Sequence, residues 1–395
     1  MEDCGMKSIR KINIITSPFG CIPPHAIGAV EKLWKSCGDY YISKGMDVCF
    51  LSKKPESPSI CHNNIKYVKG YGRTGSWGKD FLLDLIYSFK ALCKMPKCDA
   101  LVLNTAWSPI LLPLFRWKYK VSLYNVARFP KRQFGFYRSV DILSCVSRAV
   151  YNCLQEQTPS SEKQTCVISN FIDTEIYHPY RIHSLPSHPV VLYTGRVHRE
   201  KGIELLIMAI NKLRKNRKVS LRIIGAWDTP RGGSGLAYKD ELDALAEGWQ
   251  IEWIDPIYNP KELASAMDKC DIYCYPSLAD KGETFGVAPL EAMALGIPTI
   301  VSDLDCFKDF ITDRVSGLIF DHRADDAVEQ LTKCFEYVMS ESKHYQELSS
   351  NGILASASFN VNQKAEEYLW VLHNMLNFGK TGFNIETMMV ESLNQ

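Results

Sequence analysis

Short apolar runs recur along the chain, each closed by a turn of polar, glycine or proline residues. In the first half they fall at residues 11–16, 48–52, 99–104, 119–125 and 141–147. In the second half they fall at 190–194, 220–225, 249–254, 271–275, 299–301 and 317–320. Runs this short and this uniformly apolar read as strands buried on both faces of a parallel sheet. Between them the apolar positions shift to a helical period. Val30, Leu33, Trp34 and Cys37 predict a helix over 27–44, with Gly38 weakening its second half. Leu206, Ile210 and Leu213 predict another helix after 202. Strand, loop, helix and strand in that order make the doubly wound unit, whose ligands bind in loops after the strands' carboxyl ends. The loop at 19–29 is therefore a site candidate.

One stretch departs from simple burial. Residues 281–298 open as a glycine-flanked loop, become a nearly all-apolar helix and stop at Gly296-Ile297-Pro298. Glu291 is the only charge between Val287 and Pro298. A carboxylate withdrawn from water costs several kcal/mol unless something hydrogen-bonds it, so Glu291 needs a partner, and a sugar diol would serve. Glu283 lies in the preceding loop. The N–H groups around Phe285, Gly286 and Val287 fall at the helix N-terminus, where an anion is favoured. Two carboxylates for hydroxyls and a positive helix end for phosphate suit a nucleotide-sugar. A second stretch, 195–202, carries Arg196 and Lys201 in a turn with Gly195 and Gly202 at its ends. Cations fixed there stabilise a departing diphosphate more in the transition state than in the ground state.

These stretches resemble the signature of the retaining GT-B glycosyltransferases of family 4, the glycosyl transferases group 1. That family carries two glutamates separated by seven residues in a setting like G-E-x-F-G-x-x-x-x-E, the spacing of Glu283 and Glu291. Its G-R-x-x-x-x-K-G matches Gly195, Arg196, Lys201 and Gly202. The resemblance implies an α/β GT-B fold, two doubly wound Rossmann-like domains facing a central cleft. Residues 1–180 would bind the acceptor, completed by a helix over 360–378. Residues 181–360 would bind the nucleotide-sugar donor, and 379–395 would form a tail. A connector rich in Pro, His and Ser at 180–189 marks the boundary.

The implied reaction is metal-independent, retaining hexosyl transfer from a UDP- or GDP-sugar to a glycan, glycolipid or glycoprotein acceptor. Arg196 and Lys201 would grip the diphosphate with the N–H groups of Phe285, Gly286 and Val287. Glu283 would bind the donor sugar and Glu291 the ribose diol. The leaving phosphate would itself assist the incoming hydroxyl. The base would lie near 253–256. In the first domain the family's G-G-x-E appears as Gly28-Ala29-Val30-Glu31, so Gly28 and Ala29 are the candidate donor contact there, with alanine replacing the second glycine. Asn125 takes the place of a histidine common in the family. His25, in the loop before the first helix, is open to an acceptor contact or to no role. Three alternatives stay open: a hydrolysing nucleotide-sugar epimerase, a glycan phosphorylase, which would need a lysine-bound pyridoxal and usually a longer chain, and a non-catalytic sugar-nucleotide-binding protein.

Composition adds three constraints. With 395 residues, 46% hydrophobic and 23% charged, the chain is globular and long enough for two domains. No apolar run reaches membrane-spanning length, residues 1–7 lack the apolar core of a signal peptide, and none of the fourteen cysteines forms C-x-x-C. A cytoplasmic location is expected, at most peripheral to a membrane. The net charge of +2 hides an asymmetry: residues 1–180 hold 24 Lys+Arg against 14 Asp+Glu, a balance of +10, leaving −8 for the rest. The basic half suits an anionic membrane surface or an anionic glycan; no nucleic-acid motif is present. No cofactor or metal is expected. Asp303 and Asp305 form a D-x-D that could chelate a divalent ion, but Arg196 and Lys201 already supply the charge a metal would. The glycines at 232–235 lack a P-loop pattern and read as a flexible loop. Arg128 and Lys131 are open to an anionic acceptor, and Trp77, Trp107, Trp117 and Phe129 to sugar stacking.

Overall fold

A computed structural model describes residues 8–22, 28–55, 64–158 and 164–379. His25, the N-terminal heptad and the tail beyond Gly379 lie outside these residues. The chain divides into two compact units. One comprises residues 1–171 and 361–395, the other residues 172–360. The division falls between Phe171 and Ile172, ahead of the Pro/His/Ser connector, because Ile172 bridges to Asn360 at the far end of the second unit.

The first unit carries strands β1 (Lys11–Ile15), β2 (Asp47–Lys53), β3 (Ile65–Val68), β4 (Ala100–Leu103), β5 (Val121–Val126), β6 (Ile142–Cys145) and β7 (Gln164–Val167). They form one parallel sheet in the order β3-β2-β1-β4-β5-β6-β7. Helices α1 (Ala29–Ser43), α2 (Trp77–Lys94), α3 (Ser108–Leu111) and α4 (Arg148–Gln157) connect them. The central strands are buried along their whole length, which is why they read as unbroken apolar runs.

Gly38 does not weaken α1. A Cβ there would stand 2.2 Å from the Phe50 ring, so the glycine lets the helix lie close on β2, and the helix continues to Ser43. The segment 77–94, where only Trp77 had drawn notice, is the 18-residue helix α2. Trp77 opens it, 80% exposed.

The second unit holds β8 (Val190–Thr194), β9 (Ser220–Ile224), β10 (Glu252–Ile254), β11 (Ile272–Tyr275), β12 (Thr299–Ser302) and β13 (Leu318–Phe320). They form a second parallel sheet in the order β10-β9-β8-β11-β12-β13. Its helices are α5 (Ile203–Arg214), α6 (Leu236–Leu245), α7 (Pro260–Met267), α8 (Val287–Ala294), α9 (Ala327–Ser340) and α10 (Ser342–Ser356). The connector is pinned to this unit. Arg181 donates to the Asp268 and Cys270 carbonyls and pairs with Asp271, while His183 Nε2 lies 3.0 Å from Asp268 Oδ1.

The last helix, α11 (Val361–Phe378), belongs to the first unit. Trp34 of α1 meets Tyr368 with ring centroids 4.8 Å apart, and the Tyr41 hydroxyl donates to the Ala365 carbonyl at 3.1 Å. The sheet face beneath α1 is thus closed by a segment distant in sequence. Leu372 is fully buried at this contact. Its replacement by alanine is expected to lower stability by about 2–5 kcal/mol, from lost burial plus the cavity left behind, measured by chemical denaturation.

Candidate functional site

In both sheets the strand order reverses beside the first strand, at β1/β4 and at β8/β11. The crevice beyond the carboxyl ends of such a strand pair is where this architecture binds ligands. β8 and β11 run side by side and parallel, with Ile272 opposite Val191 and Tyr273 opposite Leu192. β8 ends at Thr194 and delivers Gly195 and Arg196. β11 ends at Tyr275 and delivers the loop to Glu283 and α8. The two motifs, far apart in sequence, therefore emerge from adjacent strands at the switch point of the second unit.

The turn after β8 depends on glycine. Gly195 has φ +145°, and a Cβ on the neighbouring Gly225 would lie 1.7 Å from the Gly195 carbonyl oxygen. Gly202 has φ +65°, where a Cβ would lie 2.1 Å from the Pro276 carbonyl oxygen. Between them a 3-10 turn, Arg199–Lys201, turns Lys201 inward. The Lys201 side chain is 7% exposed. Its Nζ donates to Glu283 Oε2 at 2.5 Å and lies 5.3 Å from the centroid of the Tyr275 ring.

Arg196 is 47% exposed and is held loosely. It donates to Glu200 Oε1 at 3.0 Å and to the Gly232 carbonyl at 3.3 Å. A pair this exposed contributes little to stability, so the guanidinium is free to meet an anion.

Glu283 is 13% exposed and accepts from three donors. Besides Lys201, the Tyr275 hydroxyl donates at 3.2 Å and Ser277 Oγ at 3.3 Å. Burial, reinforced by the Glu283 charge, pushes the Tyr275 phenol well above its ordinary pKa, so it remains a neutral donor. Neither Tyr275 nor Ser277 stood out in the sequence. Their signal was positional, since both lie at the strand's carboxyl tip, where polar side chains interrupt an apolar run.

Helix α8 starts at Gly286, with φ +93° and a hypothetical Cβ 2.4 Å from Phe307. No side chain caps this end, which leaves first-turn N–H groups directed outward for an acceptor. Phe285 is buried against Phe310 and Phe359, with centroids 5.2 and 5.8 Å away. Its ring anchors the helix start and is not a ligand surface.

Glu291 already has a protein partner, the Tyr177 hydroxyl. Burial and then the Glu291 charge push that phenol far above its ordinary value. Nothing in the local sequence pattern tied Tyr177 to α8.

Gly28 and Ala29 stand at the start of α1, in the first unit; the other named residues are in the second. Glu31 folds back over this turn and accepts from Ser17 Oγ at 2.9 Å; a Cβ on Gly28 would lie 2.8 Å from its Oε2. Asn125 is buried and donates to Asn104 Oδ1 at 3.2 Å.

The glycine-rich segment after β9 is not a flexible loop. The N–H groups of Gly232, Gly233, Ser234 and Gly235 donate to the carbonyls of Thr229, Asp228, Val197 and Trp227 at 2.7–3.0 Å. With its donors used, it is no phosphate cradle; it serves as the floor on which Arg196 lies. Asp303 and Asp305 are both paired with Lys308, at 2.8 and 3.0 Å. Among the described residues no three His, Cys, Asp or Glu side chains cluster closely enough to hold a metal ion. Trp253 Nε1 donates to Asp243 at 2.7 Å with Lys239 over its ring. Arg128 and Lys131 are exposed, as is Trp117, while Trp107 and Phe129 are half-buried. No described helix is long and apolar enough to cross a membrane.

The glycosyl transferases group 1 family model matches residues 182–354, the stretch that holds Arg196, Lys201, Glu283 and Glu291. Residues 182–354 are a glycosyl transferases group 1 domain. Among curated proteins, alpha-maltose-1-phosphate synthase of Mycobacterium tuberculosis is 28% identical over 205 residues, 49% of this chain and 51% of that enzyme. The chain thus spans about half the length of the curated relative it matches.

Solved structures extend the likeness to both units. Sucrose-phosphate synthase from Thermosynechococcus elongatus matches with a TM-score of 0.75 at 17% identity, over 93% of this chain and 99% of that one. Anabaena HepE, solved in complex with UDP and glucose, matches with a TM-score of 0.67 at 15% identity, over 92% and 99%. At such identities these matches establish the fold, which is GT-B with two Rossmann-like domains. The group 1 domain is the second of these, and its matched segment begins at Ile182, two residues before Ser184 and well inside the connector.

Proposed function

We propose that the protein is a retaining glycosyltransferase that moves a hexosyl unit from a UDP- or GDP-sugar to a glycan, glycolipid or glycoprotein-glycan acceptor, without a metal. The observation that carries this reading is the buried Lys201–Glu283 pair at the β8/β11 switch point, with the uncapped start of α8 and the half-exposed Arg196 in the same unit. The membership of residues 182–354 in group 1 and the likeness to a protein solved with UDP and glucose favour it over other chemistry.

On this reading Lys201 has two tasks. An ammonium has three donor positions. One bond to Glu283 orients that carboxylate toward donor-sugar hydroxyls, and another meets the diphosphate. Arg196 swings from Glu200 to the outer phosphate oxygens. As the glycosidic bond breaks, negative charge grows on the leaving diphosphate, and Lys201, Arg196 and the α8 N–H groups stabilise that growth. Glu291, steadied by Tyr177, reads the ribose diol. No side chain is assigned as a nucleophile. The leaving phosphate oxygen takes the acceptor proton on the same face, which retains the anomeric configuration.

A thermal-shift screen of UDP-, GDP- and ADP-sugars tests the donor. A UDP- or GDP-sugar should raise the melting temperature, and Glu291→Gln should weaken that donor about tenfold, some 1.4 kcal/mol. Proton NMR of the product should show the donor's anomeric configuration, with turnover unchanged by EDTA. A flat screen across all three donor classes would remove the reading, and release of free sugar without an acceptor would favour the hydrolysing epimerase.

A further inference from the structure

The outer face of α2 is apolar where a solvated helix face is normally polar. Leu82, Ile86 and Phe89 follow at helical spacing and are all exposed, Leu82 at 56%. The adjoining element continues the surface. The 3-10 turn after α3, Leu112–Lys118, exposes Leu114 at 64% and Trp117 at 66%. The two elements are fastened together. The Phe89 and Phe115 rings meet edge-on at 6.0 Å, and Lys118 Nζ donates to the carbonyls of Leu92, Cys93 and Met95 at 2.7–3.0 Å. Five large apolar side chains on two packed elements form a patch, unlike the scattered exposed leucines of an ordinary surface.

The charges around the patch have one sign. Lys79 and Lys90 lie on the exposed side of α2, and Lys97 follows it with its Nζ 5.6 Å from the centroid of the Trp117 ring. The helix's own carboxylates are engaged elsewhere. Asp80 accepts from Thr74, and Asp84 is buried against Ser88 and the Trp107 N–H. Lysines with apolar stems beside leucine, phenylalanine and tryptophan are the composition of a surface that lies in a lipid headgroup layer.

We propose that this face docks the first unit on an anionic lipid bilayer, with Leu82, Ile86, Phe89, Leu114 and Trp117 entering the headgroup boundary and Lys79, Lys90 and Lys97 meeting lipid phosphates. A second copy of the chain fits less well, since pairing the patch with itself would bring its lysines together. The basic balance of residues 1–180 adds long-range attraction in the same direction. No described helix spans a bilayer, so the contact is with the surface. This inference does not rest on the proposed reaction, because it is tested by partitioning and not by turnover.

The experiment is flotation of the full chain with phosphatidylcholine vesicles, with and without phosphatidylglycerol, alongside tryptophan emission. Binding to the anionic vesicles with a blue shift is expected, falling about tenfold or more on phosphatidylcholine alone and again at ~0.5 M salt. Leu82→Glu with Leu114→Glu should lower anionic binding at least about tenfold while leaving the melting temperature in place. Lys90→Glu with Lys97→Glu should do the same without touching the apolar side chains. Absence of binding to anionic vesicles at low salt would overturn the proposal, as would binding that neither pair of substitutions reduces. A concentration-dependent dimer lost in the Leu82/Leu114 variant, without vesicle binding, would assign the patch to self-association instead.

Discussion

Lys201→Ala should lower kcat by about 10²–10³, some 3–4 kcal/mol of transition-state stabilisation, the range seen when one fixed donor to a developing anion is removed. Lys201 is nearly enclosed, and its ammonium sits between Glu283 at 2.5 Å and the Tyr275 ring. On the proposed reading, deleting it removes a cation from the place where the leaving diphosphate would gain charge. It also leaves Glu283, 13% exposed, with only the neutral hydroxyls of Tyr275 and Ser277.

These two consequences separate experimentally. A carboxylate stranded by loss of its partner destabilises the fold, and adding Glu283→Gln to Lys201→Ala should recover stability. It should not recover turnover, because the gap beside the diphosphate remains. Lys201→Arg should also fail, since the nearly enclosed ammonium between Glu283 and the Tyr275 ring leaves little room for a larger planar head group. Steady-state kinetics with the donor found in the screen, together with chemical denaturation of each variant, check this. A kcat within threefold of wild type for Lys201→Ala would exclude Lys201 from the chemistry.

The residues that carry the proposed chemistry were legible because each motif is local. Arg196 and Lys201 share one turn, and Glu283 and Glu291 share one loop and helix. Their supports were not, because each joins segments far apart in the chain. Tyr177 reaches Glu291 from the opening segment of the same unit, before its first strand. Glu200 holds Arg196 in a spacing that reads as an ordinary surface pair.

The glycine-rich segment misled for a related reason. Glycine marks freedom of the isolated backbone, but here Val197 and Trp227 supply the acceptors that fix it. Helix α2 was unread because Leu82, Ile86 and Phe89 on its exposed face erase the contrast between apolar and polar sides by which a helix is recognised. The same departure from pattern that hid the element marks the surface proposed to meet a bilayer.

Gly225→Ala should be the most damaging of the small substitutions. It should cost about 1–3 kcal/mol of stability from overpacking and weaken donor binding by more than about tenfold. The added Cβ would stand 1.7 Å from the Gly195 carbonyl oxygen and 2.8 Å from its carbon. Both neighbours are backbone, so no side chain can rotate away to make room. The strain must move either the end of β9 or the turn that begins at Gly195. That turn is fixed by Gly195 N–H donating to the Ile224 carbonyl at 3.0 Å and Val197 N–H to the Ala226 carbonyl at 2.8 Å. Arg196 lies between those two bonds, so displacement of the turn displaces the guanidinium, and a shift of about an ångström at a positioning group can cost as much as 10²-fold in rate. Gly72→Ala is the control. Its Cβ would meet nothing within 4 Å, and the expected change is within about 1 kcal/mol. Denaturant midpoints and donor titrations on both variants decide the matter. If Gly225→Ala matched Gly72→Ala in both, the close approach of the two glycines would have no part in holding Arg196.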